Sequence, residues 1–166
     1  MTLAIRQYGG SDLEACRDLW RDLTQRHRDI YNDQSIGGED PGLEFDEHLR
    51  KRSIVGTWVA EQSGEIVGFV SLLVEGKEGE IDPIVVKSES RSRGIGKQLL
   101  DLMIEEARRR DVRSLSIRPV ARNVEAMALY HEMGFRTLGH IDMFMDLQGD
   151  TQWKYSIEIH GRKYGY

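Results

Sequence analysis

The segment from Arg91 to Gly96 reads RSRGIG and places two arginines beside two glycines. The apolar run Ile84–Val86 precedes it and Lys97–Leu100 follows it, so the order predicts a buried strand, a turn and a helix. Unpaired N–H groups and a partial positive charge at a helix N-terminus bind phosphate oxygens. Glycines let the backbone approach a ligand closely, and arginines add charge-assisted hydrogen bonds. The segment therefore predicts a cradle for a pyrophosphate group.

Two standard phosphate motifs are incomplete in this chain. The P-loop pattern GxxxxGK[ST] is absent, and a dinucleotide fingerprint needs a third glycine where Leu99 stands. What remains is the pattern [QR]-x-x-G-x-[GA], which begins at Arg91.

A second group of residues follows about thirty positions later, after a short predicted strand at Leu115–Ile117. Asn123 is a favourable N-cap and Gly134 a favourable C′ residue, so a helix of about three turns is predicted between them. At about 100° per residue, Asn123, Met127 and Tyr130 share one face of this helix. That face is suited to line a groove beside the cradle.

Together, the pattern at Arg91 and the run N-x-x-A-x-x-x-Y-x-x-x-G-F from Asn123 to Phe135 resemble the motifs of the GNAT superfamily, the Gcn5-related N-acetyltransferases. The resemblance covers roughly residues 54–147. It implies a single α/β domain over residues 1–166, with a mixed, strongly twisted sheet of about seven strands and helices on both faces. The central strands are expected to diverge near Val86 and admit acetyl-CoA as co-substrate, with no metal.

The resemblance also assigns roles to residues. The backbone groups of the splayed strand would bind the pantetheine arm, with the Val86 N–H as oxyanion donor, and Tyr130 would protonate the departing thiolate. Tyr130 as an ordinary packed helix residue is the alternative. Pro83, which has no N–H, fits a strand that separates or bulges. The expected cofactor-binding residues are Ile84, Val85, Val86, Arg91, Ser92, Arg93, Gly94, Ile95, Gly96, Lys97 and Asn123.

A base is needed because the attacking amine must lose a proton. The resemblance makes Glu80 the first choice, because some family members carry a glutamate at this place on the strand, and Asp82 is the second. Regular strand alternation would put both on one face together with Ile84. A neighbouring acid or burial would raise the pKa of a carboxyl group there. Two solvated carboxylates at a turn are the alternative, and His27 and His160 are lesser candidates for the base.

The resemblance implies that the first helix and the loop after it shape the acceptor groove. Trp20, His27 and Tyr31 are the candidate substrate-binding residues. An acidic cluster would attract a cationic amine, unless it is an ordinary solvated segment; its members are Glu39, Asp40, Glu44, Asp46 and Glu47. A polyamine, an amino acid, an aminoglycoside, a lysine side chain and a protein N-terminus all remain possible acceptors.

Composition limits the function classes. With 39% hydrophobic and 31% charged residues, the chain is typical of a globular domain, and a net charge of −5 disfavours a general nucleic-acid binder. The absence of a membrane-length apolar run or a signal peptide, together with a single cysteine, Cys16, predicts a cytoplasmic protein. Cys16 is expected in the core. A homodimer is compatible with the alternating apolar tail.

The sequence thus predicts an acetyl-CoA-dependent N-acetyltransferase that works by direct attack of a primary amine. The alternative is a non-catalytic acyl-CoA-binding sensor with the same fold. The tail is expected to form a strand over Phe135–Asp146 and a turn at Gln148-Gly149-Asp150. A last strand over Trp153–Ile159 would return beside the Phe135 strand.

Overall fold

The computed structural model describes residues 3–145, 147 and 156–166. The chain forms two compact units, Met1–Arg118 and Pro119–Tyr166. Short turns and alternating apolar residues set the elements of the first unit. These elements are β1 (Leu3–Gln7), α1 (Leu13–Tyr31), α2 (Leu43–Leu49), β2 (Ile54–Gln62), β3 (Glu65–Glu75), β4 (Glu78–Val86), α3 (Ile95–Arg109) and β5 (Ser114–Ile117).

The first unit is built on a five-stranded sheet with the order β1-β2-β3-β4-β5. The first four strands pair antiparallel with their neighbours, whereas β5 pairs parallel with β4. Ser63 and Gly64 connect β2 to β3 with φ angles of 54° and 81°, the left-handed conformation that tight hairpin turns require. The predicted mixed sheet is thereby confirmed.

Helices cover both faces of this sheet. On one face, Cys16 and Leu19 of α1 and Phe45 of α2 form a buried cluster with Phe69 of β3. On the other face, a Cβ added to Gly68 would lie 3.5 Å from the Cδ1 atom of Leu99 in α3. Successive residues of a strand point to opposite faces, so β3 lies between the two helical layers. Among the described residues, no helix is both long and apolar enough to span a membrane.

A bulge in β4 changes which residues share a face. Leu72 of β3 pairs with Ile81, and Val70 pairs with Ile84, so β4 advances three residues where β3 advances two. Val70 and Leu72 share a face, and opposed residues project to the same side, so Ile84 lies on the face of Ile81. The expectation that Ile84 shares a face with Glu80 and Asp82 is therefore wrong, because the bulge at Asp82 and Pro83 inverts the alternation.

β4 also extends beyond its parallel neighbour. Pairing with β5 runs only from Glu78 to Ile81, opposite Ser114 to Ile117. Ile84, Val85 and Val86 pair with β3, whereas no residue of β4 after Ile81 pairs with β5, which ends at Ile117. The divergence of the central strands near Val86 stays a prediction.

The second unit contains α4 (Val124–Glu132), β6 (Ser156–Ile159) and β7 (Arg162–Gly165). β6 and β7 form an antiparallel hairpin around His160 and Gly161, which both have positive φ. With the five-stranded sheet, the described residues thus contain seven strands.

The tail differs from the prediction. Residues 135–145 form no strand, and β6 pairs with β7 rather than with this segment. A strand needs a neighbour to accept its hydrogen bonds, and no described strand pairs with residues 135–145. Their alternating apolar side chains are instead exposed, among them Leu138, Ile141, Met143 and Met145. Asp146, the predicted turn at 148–150, Trp153 and Tyr155 lie outside the described residues.

Candidate active site

The predicted cradle lies between β4 and α3. A short 3-10 helix, Ser88–Ser90, leads into an exposed loop at Ser92, Arg93 and Gly94, and Gly94 is the N-cap of α3. The Gly94 carbonyl accepts a hydrogen bond from the Gln98 N–H at 3.1 Å. This is the first hydrogen bond of the helix. The N–H groups of residues 95–97 lie before it, in the first turn, where a helix supplies no backbone acceptors of its own. This arrangement suits an anion.

Gly94 meets a conformational requirement of this loop. Its φ is +79°, a region that side-chain-bearing residues rarely adopt. A Cβ added there would meet no atom within 4 Å. The backbone is thus exposed beside the helix N-terminus, and a larger side chain would extend into the space where a ligand approaches.

The Arg91 side chain connects the loop to two other elements. Its Nε donates to the carbonyl of Val86 at 3.0 Å, and its Nη2 lies 3.3 Å from Oδ2 of Asp22 in α1. The same Asp22 oxygen accepts the N–H of Ser88 at 3.2 Å. Arg91 was predicted to bind the ligand, and these contacts show that it also holds the loop against β4 and α1.

The end of β4 presents backbone groups on the side without a strand partner. The N–H of Lys87 donates to Val67 of β3 at 2.8 Å, so Lys87 faces β3. Backbone groups alternate along a strand, and the N–H and C=O of Val86 therefore point away from β3. Val85 is buried, while Ile84 and Val86 are half-buried. The Val86 N–H accordingly points away from β3, and its role as oxyanion donor stays a prediction.

Both candidate bases form ion pairs. Oε1 of Glu80 lies 3.3 Å from Nε of Arg118, just after β5, and Oδ2 of Asp82 lies 2.9 Å from Nζ of Lys51, just after α2. Glu80 is opposite Leu73, on the same face of β3 as Phe69, which packs against α1 and α2. Glu80 therefore lies on the sheet face covered by the first two helices.

A buried polar cluster on the same face escaped the sequence analysis. Nε2 of His48 lies 2.9 Å from the hydroxyl of Ser71, which lies 2.8 Å from the hydroxyl of Thr57. Burial and, to a smaller extent, the charge of Lys51 lower the pKa of His48 to about 4, while the charge of Asp82 opposes the shift. Nδ1 of His48 is buried without a hydrogen-bond partner in the described structure. Each residue lies on a separate element, so no local pattern predicted the cluster.

The predicted acceptor residues on α1 occupy different environments. Trp20 is part of an aromatic group, stacked on Phe69 at 6.2 Å and tilted against His48 at 5.4 Å between ring centroids. His27 is half-buried, and burial followed by the charge of Arg26 lowers its pKa. Tyr31 is half-buried at the end of α1.

Two members of the predicted acidic cluster pair with arginines of α1. Asp40 lies 3.0 Å from Arg21, and Asp46 lies 2.8 Å from Arg17. Hydrogen bonds from these guanidinium groups lower the pKa values of both carboxyl groups. Since their charges are largely balanced within the protein, the cluster attracts an external cation less than its sequence indicates.

The remaining predicted residues lie in the second unit. Oδ1 of Asn123 accepts the N–H of Ala126 at 3.3 Å, which confirms Asn123 as the N-cap of α4. Tyr130 packs edge-on against Phe135 at 6.3 Å between ring centroids, and burial raises the pKa of its hydroxyl to about 12. A phenol with that pKa stays protonated at neutral pH and is able to donate a proton. His160 is exposed in the β6–β7 turn.

Comparisons with known proteins agree with this geometry. An L-methionine sulfoximine/L-methionine sulfone acetyltransferase from Pseudomonas aeruginosa is 24% identical over 146 residues, which cover 85% of this chain and 84% of that protein. The fold matches a GNAT-family acetyltransferase from Staphylococcus aureus with a TM-score of 0.68 and 22% identity, covering 86% of this chain and 89% of that chain.

A second solved structure, AAC(6')-Iy in complex with the bisubstrate analog CoA-S-monomethyl-acetylneamine, matches with a TM-score of 0.64 and 17% identity. It covers 88% of this chain and 99% of that chain. The family model for the acetyltransferase (GNAT) family matches residues 13–135, well over half of the chain. The glycine loop, the β4 overhang and the family match lead to one conclusion: this chain belongs to the GNAT family of acetyltransferases.

Proposed function

We propose that this protein is an acetyl-CoA-dependent N-acetyltransferase that acetylates the primary amine of a small molecule by direct attack. The observation that carries the proposal is the exposed N-terminus of α3 beside the end of β4 that β5 does not pair, in a chain of this family. The family match crosses the boundary between the two units, which supports one acetyltransferase domain. A cytoplasmic location belongs to the same proposal, supported by Cys16 as a buried free thiol.

In this proposal the main chain binds the co-substrate. Amides between Arg91 and Lys97 hold the diphosphate of coenzyme A, where the helix dipole and the N–H groups favour negative charge. The backbone N–H and C=O groups within residues 84–86 that point away from β3 form hydrogen bonds with the pantetheine arm, as a sheet edge does with an added strand. Asn123 contributes from α4 in addition to capping that helix.

The chemistry assigns one role to each group. Glu80 or Asp82 takes a proton from the acceptor ammonium, so that its nitrogen attacks the acetyl carbon. The Val86 N–H donates to the carbonyl oxygen as negative charge develops there. A carbon–nitrogen bond forms, the carbon–sulfur bond breaks, and the electron pair leaves with sulfur. Tyr130 donates its proton to the thiolate, and the second proton that the nitrogen loses as it becomes an amide returns to Tyr130 through solvent.

The acceptor is proposed as a small molecule because the Pseudomonas relative is named for methionine derivatives and aligns over most of both chains. Trp20, His27 and Tyr31 are proposed to border its groove from α1. Because Trp20 is packed among Phe69, Phe45 and His48, its contribution is a fixed wall rather than a mobile contact.

A thiol-release assay with acetyl-CoA and a panel of amines tests the function directly. Burial raises the pKa of the Cys16 thiol to about 12, so a thiol reagent reads released CoA without background from the native protein. Calorimetry measures acetyl-CoA binding in parallel. Binding with thiol release supports the enzyme, whereas binding without release for any amine favours the non-catalytic acyl-CoA sensor.

Tyr130→Phe separates catalysis from binding. The variant keeps the ring contact with Phe135 but removes the ionisable hydroxyl. We expect turnover to fall by 10²–10⁴, roughly the range for a lost proton donor, while the Kd for acetyl-CoA stays within about twofold. Equal turnover in the two proteins would remove Tyr130 from the mechanism.

A further inference from the structure

Two ion pairs stand side by side where β5 stops pairing with β4. Ile81 and Ile117 are the last paired residues, and Glu80 and Asp82 flank that point on β4. Glu80 pairs with Arg118, and Asp82 pairs with Lys51. The end of the β4–β5 ladder is therefore bordered by two carboxylates and two cations, which we name the charge quartet.

The members of the charge quartet lie on one side of the sheet. Glu80 pairs in the parallel ladder with Ser116, so the two side chains share a face, and Arg118 lies two residues further on that same face. Asp82 is bonded to Lys51, which follows α2, and α2 covers this face through Phe45 and His48. The quartet thus faces the layer of α1 and α2, from which the proposed acceptor groove is built.

Stability alone is a weak reason for this arrangement. The Lys51 and Asp82 side chains are 46% and 42% exposed, and Arg118 is 75% exposed. Ion pairs at such exposure contribute about 0–1 kcal/mol, because solvent screens them and the long side chains lose freedom. A ligand that carries both an ammonium and an anionic group therefore replaces the partners in these ion pairs at little cost in free energy.

Polar groups are also present beneath this face of the sheet. Beneath this face lie the hydroxyl groups of Ser71 and Thr57 and the imidazole of His48. His48 is 2% exposed, and its Nδ1 atom has no hydrogen-bond partner in the described structure. Buried polar atoms are normally satisfied by protein, water or ligand. This sheet face thus carries two hydroxyl groups and an imidazole beside the apolar cluster around Phe45 and Phe69.

We propose that the acceptor is zwitterionic, with the chemistry of a free α-amino acid. Its ammonium lies against Asp82 and Glu80, and its carboxylate lies between Lys51 and Arg118. This inference rests on the proposed acetyltransferase function and narrows its substrate class. A polyamine or a lysine side chain within a peptide brings no anion, so it would leave two cations of the quartet without a partner once their carboxylates turn to the ligand.

The same placement gives the carboxylates their chemical task. The ammonium proton moves to Glu80 or Asp82, the nitrogen attacks the acetyl carbon, and the sulfur leaves with the bonding electrons. The substrate carboxylate takes no part in bond making. Its contribution is to hold the amine in position through Lys51 and Arg118, and this positioning is most visible in KM.

The test compares three matched acceptors in the thiol-release assay: L-methionine sulfone, its methyl ester, and the amine that lacks the carboxyl group altogether. All three carry the same side chain and a primary amine. We expect kcat/KM for the amino acid to exceed that for each of the others at least tenfold, and a panel of free L-amino acids extends the comparison. Equal or higher kcat/KM for acceptors without a carboxylate would overturn the zwitterion while leaving the enzyme intact. Acetyl-CoA binding without thiol release from any amine would instead refute the proposed function.

Substitutions locate the carboxylate contact. Arg118→Gln and Lys51→Met are each expected to raise KM for the amino acid at least tenfold and to change KM for the methyl ester less than twofold. Lys77→Met is the matched control, since Lys77 also pairs with an aspartate, Asp111, but in the turn between β3 and β4. Unfolding temperature and acetyl-CoA affinity report whether each variant is folded. The same fold-change for acid and ester, or an equal effect of Lys77→Met, would contradict the assignment.

Discussion

Removing the carboxylate of Asp22 tests whether the phosphate-binding loop is held by α1. The carboxylate accepts the Ser88 N–H at 3.2 Å and the Arg91 guanidinium at 3.3 Å, and the two charged side chains are 32% and 28% exposed. At these lengths and exposures each bond contributes about 0.5–1 kcal/mol, less than a buried charged bond. If about 1.4 kcal/mol of loop order is lost, Asp22→Ala raises the Kd for acetyl-CoA about tenfold.

Calorimetric titration with acetyl-CoA measures this effect, and thermal unfolding monitors the fold. Asp18→Ala is the matched control. Asp18, like Asp22, is an aspartate of α1 that pairs with an arginine, but its partner Arg21 lies in α1 itself rather than in the loop. The double variant Asp22→Ala/Arg91→Met should bind acetyl-CoA more tightly than the product of the two single effects predicts, since both substitutions remove the same ion pair. An unchanged Kd in Asp22→Ala, or an equal rise in Asp18→Ala, would refute the reasoning.

Three further predictions follow from backbone geometry and burial. Gly94→Glu should abolish acetyl-CoA binding in calorimetry. Gly76 also has a positive φ and open space around an added Cβ, so Gly76→Glu is the control and should bind acetyl-CoA normally. Equal affinities of the two variants would refute the loop assignment. Gly68→Ala places a Cβ 2.7 Å from the Val85 carbonyl and should lower the free energy of unfolding by about 1–3 kcal/mol in urea, while Gly10→Ala, with no atom within 4 Å, costs less than about 0.5 kcal/mol. The pKa of His48 is about 4 in the folded protein and 6.5 ordinarily, so the folded state favours neutral imidazole and loses stability as pH falls below 6.5. By pH 5 this loss is on the order of 2 kcal/mol and should be absent in His48→Gln; parallel stability curves from pH 7 to 5 would contradict it.

Elements with strong local signals were predicted well. The apolar run Ile84–Val86 and the glycines after it predicted the end of a strand and the start of a helix, where the structure has β4 ending at Val86 and α3 beginning at Ile95. The face of Ile84 was predicted wrongly because a bulge depends on the partner strand, which alternation within one segment does not reveal. Residues 135–145 have a strand-like pattern, but a pattern forms a strand only where another strand pairs with it.

In the candidate site too, features set by neighbouring residues were predictable, whereas contacts between distant residues were not. The glycine loop and the Asn123 cap were predictable, because each depends on residues within a few positions. The contacts of His48 with Ser71, Lys51 with Asp82 and Arg91 with Asp22 join residues 23, 31 and 69 positions apart. No single segment encodes them, so the ion pairs around the proposed bases and the anchor of the loop became visible only in the folded chain.

The overhang of β4 has a consequence for how the sequence is free to change. Every amino acid except proline offers the same amide hydrogen and carbonyl oxygen, so a partner gripped through the main chain asks only for extended geometry. Valine, isoleucine or threonine at positions 84 and 86 would serve equally, provided Val85 keeps its place in the core. In the proposed function, the backbone that receives the pantetheine arm is therefore the part of the site that constrains side-chain identity least.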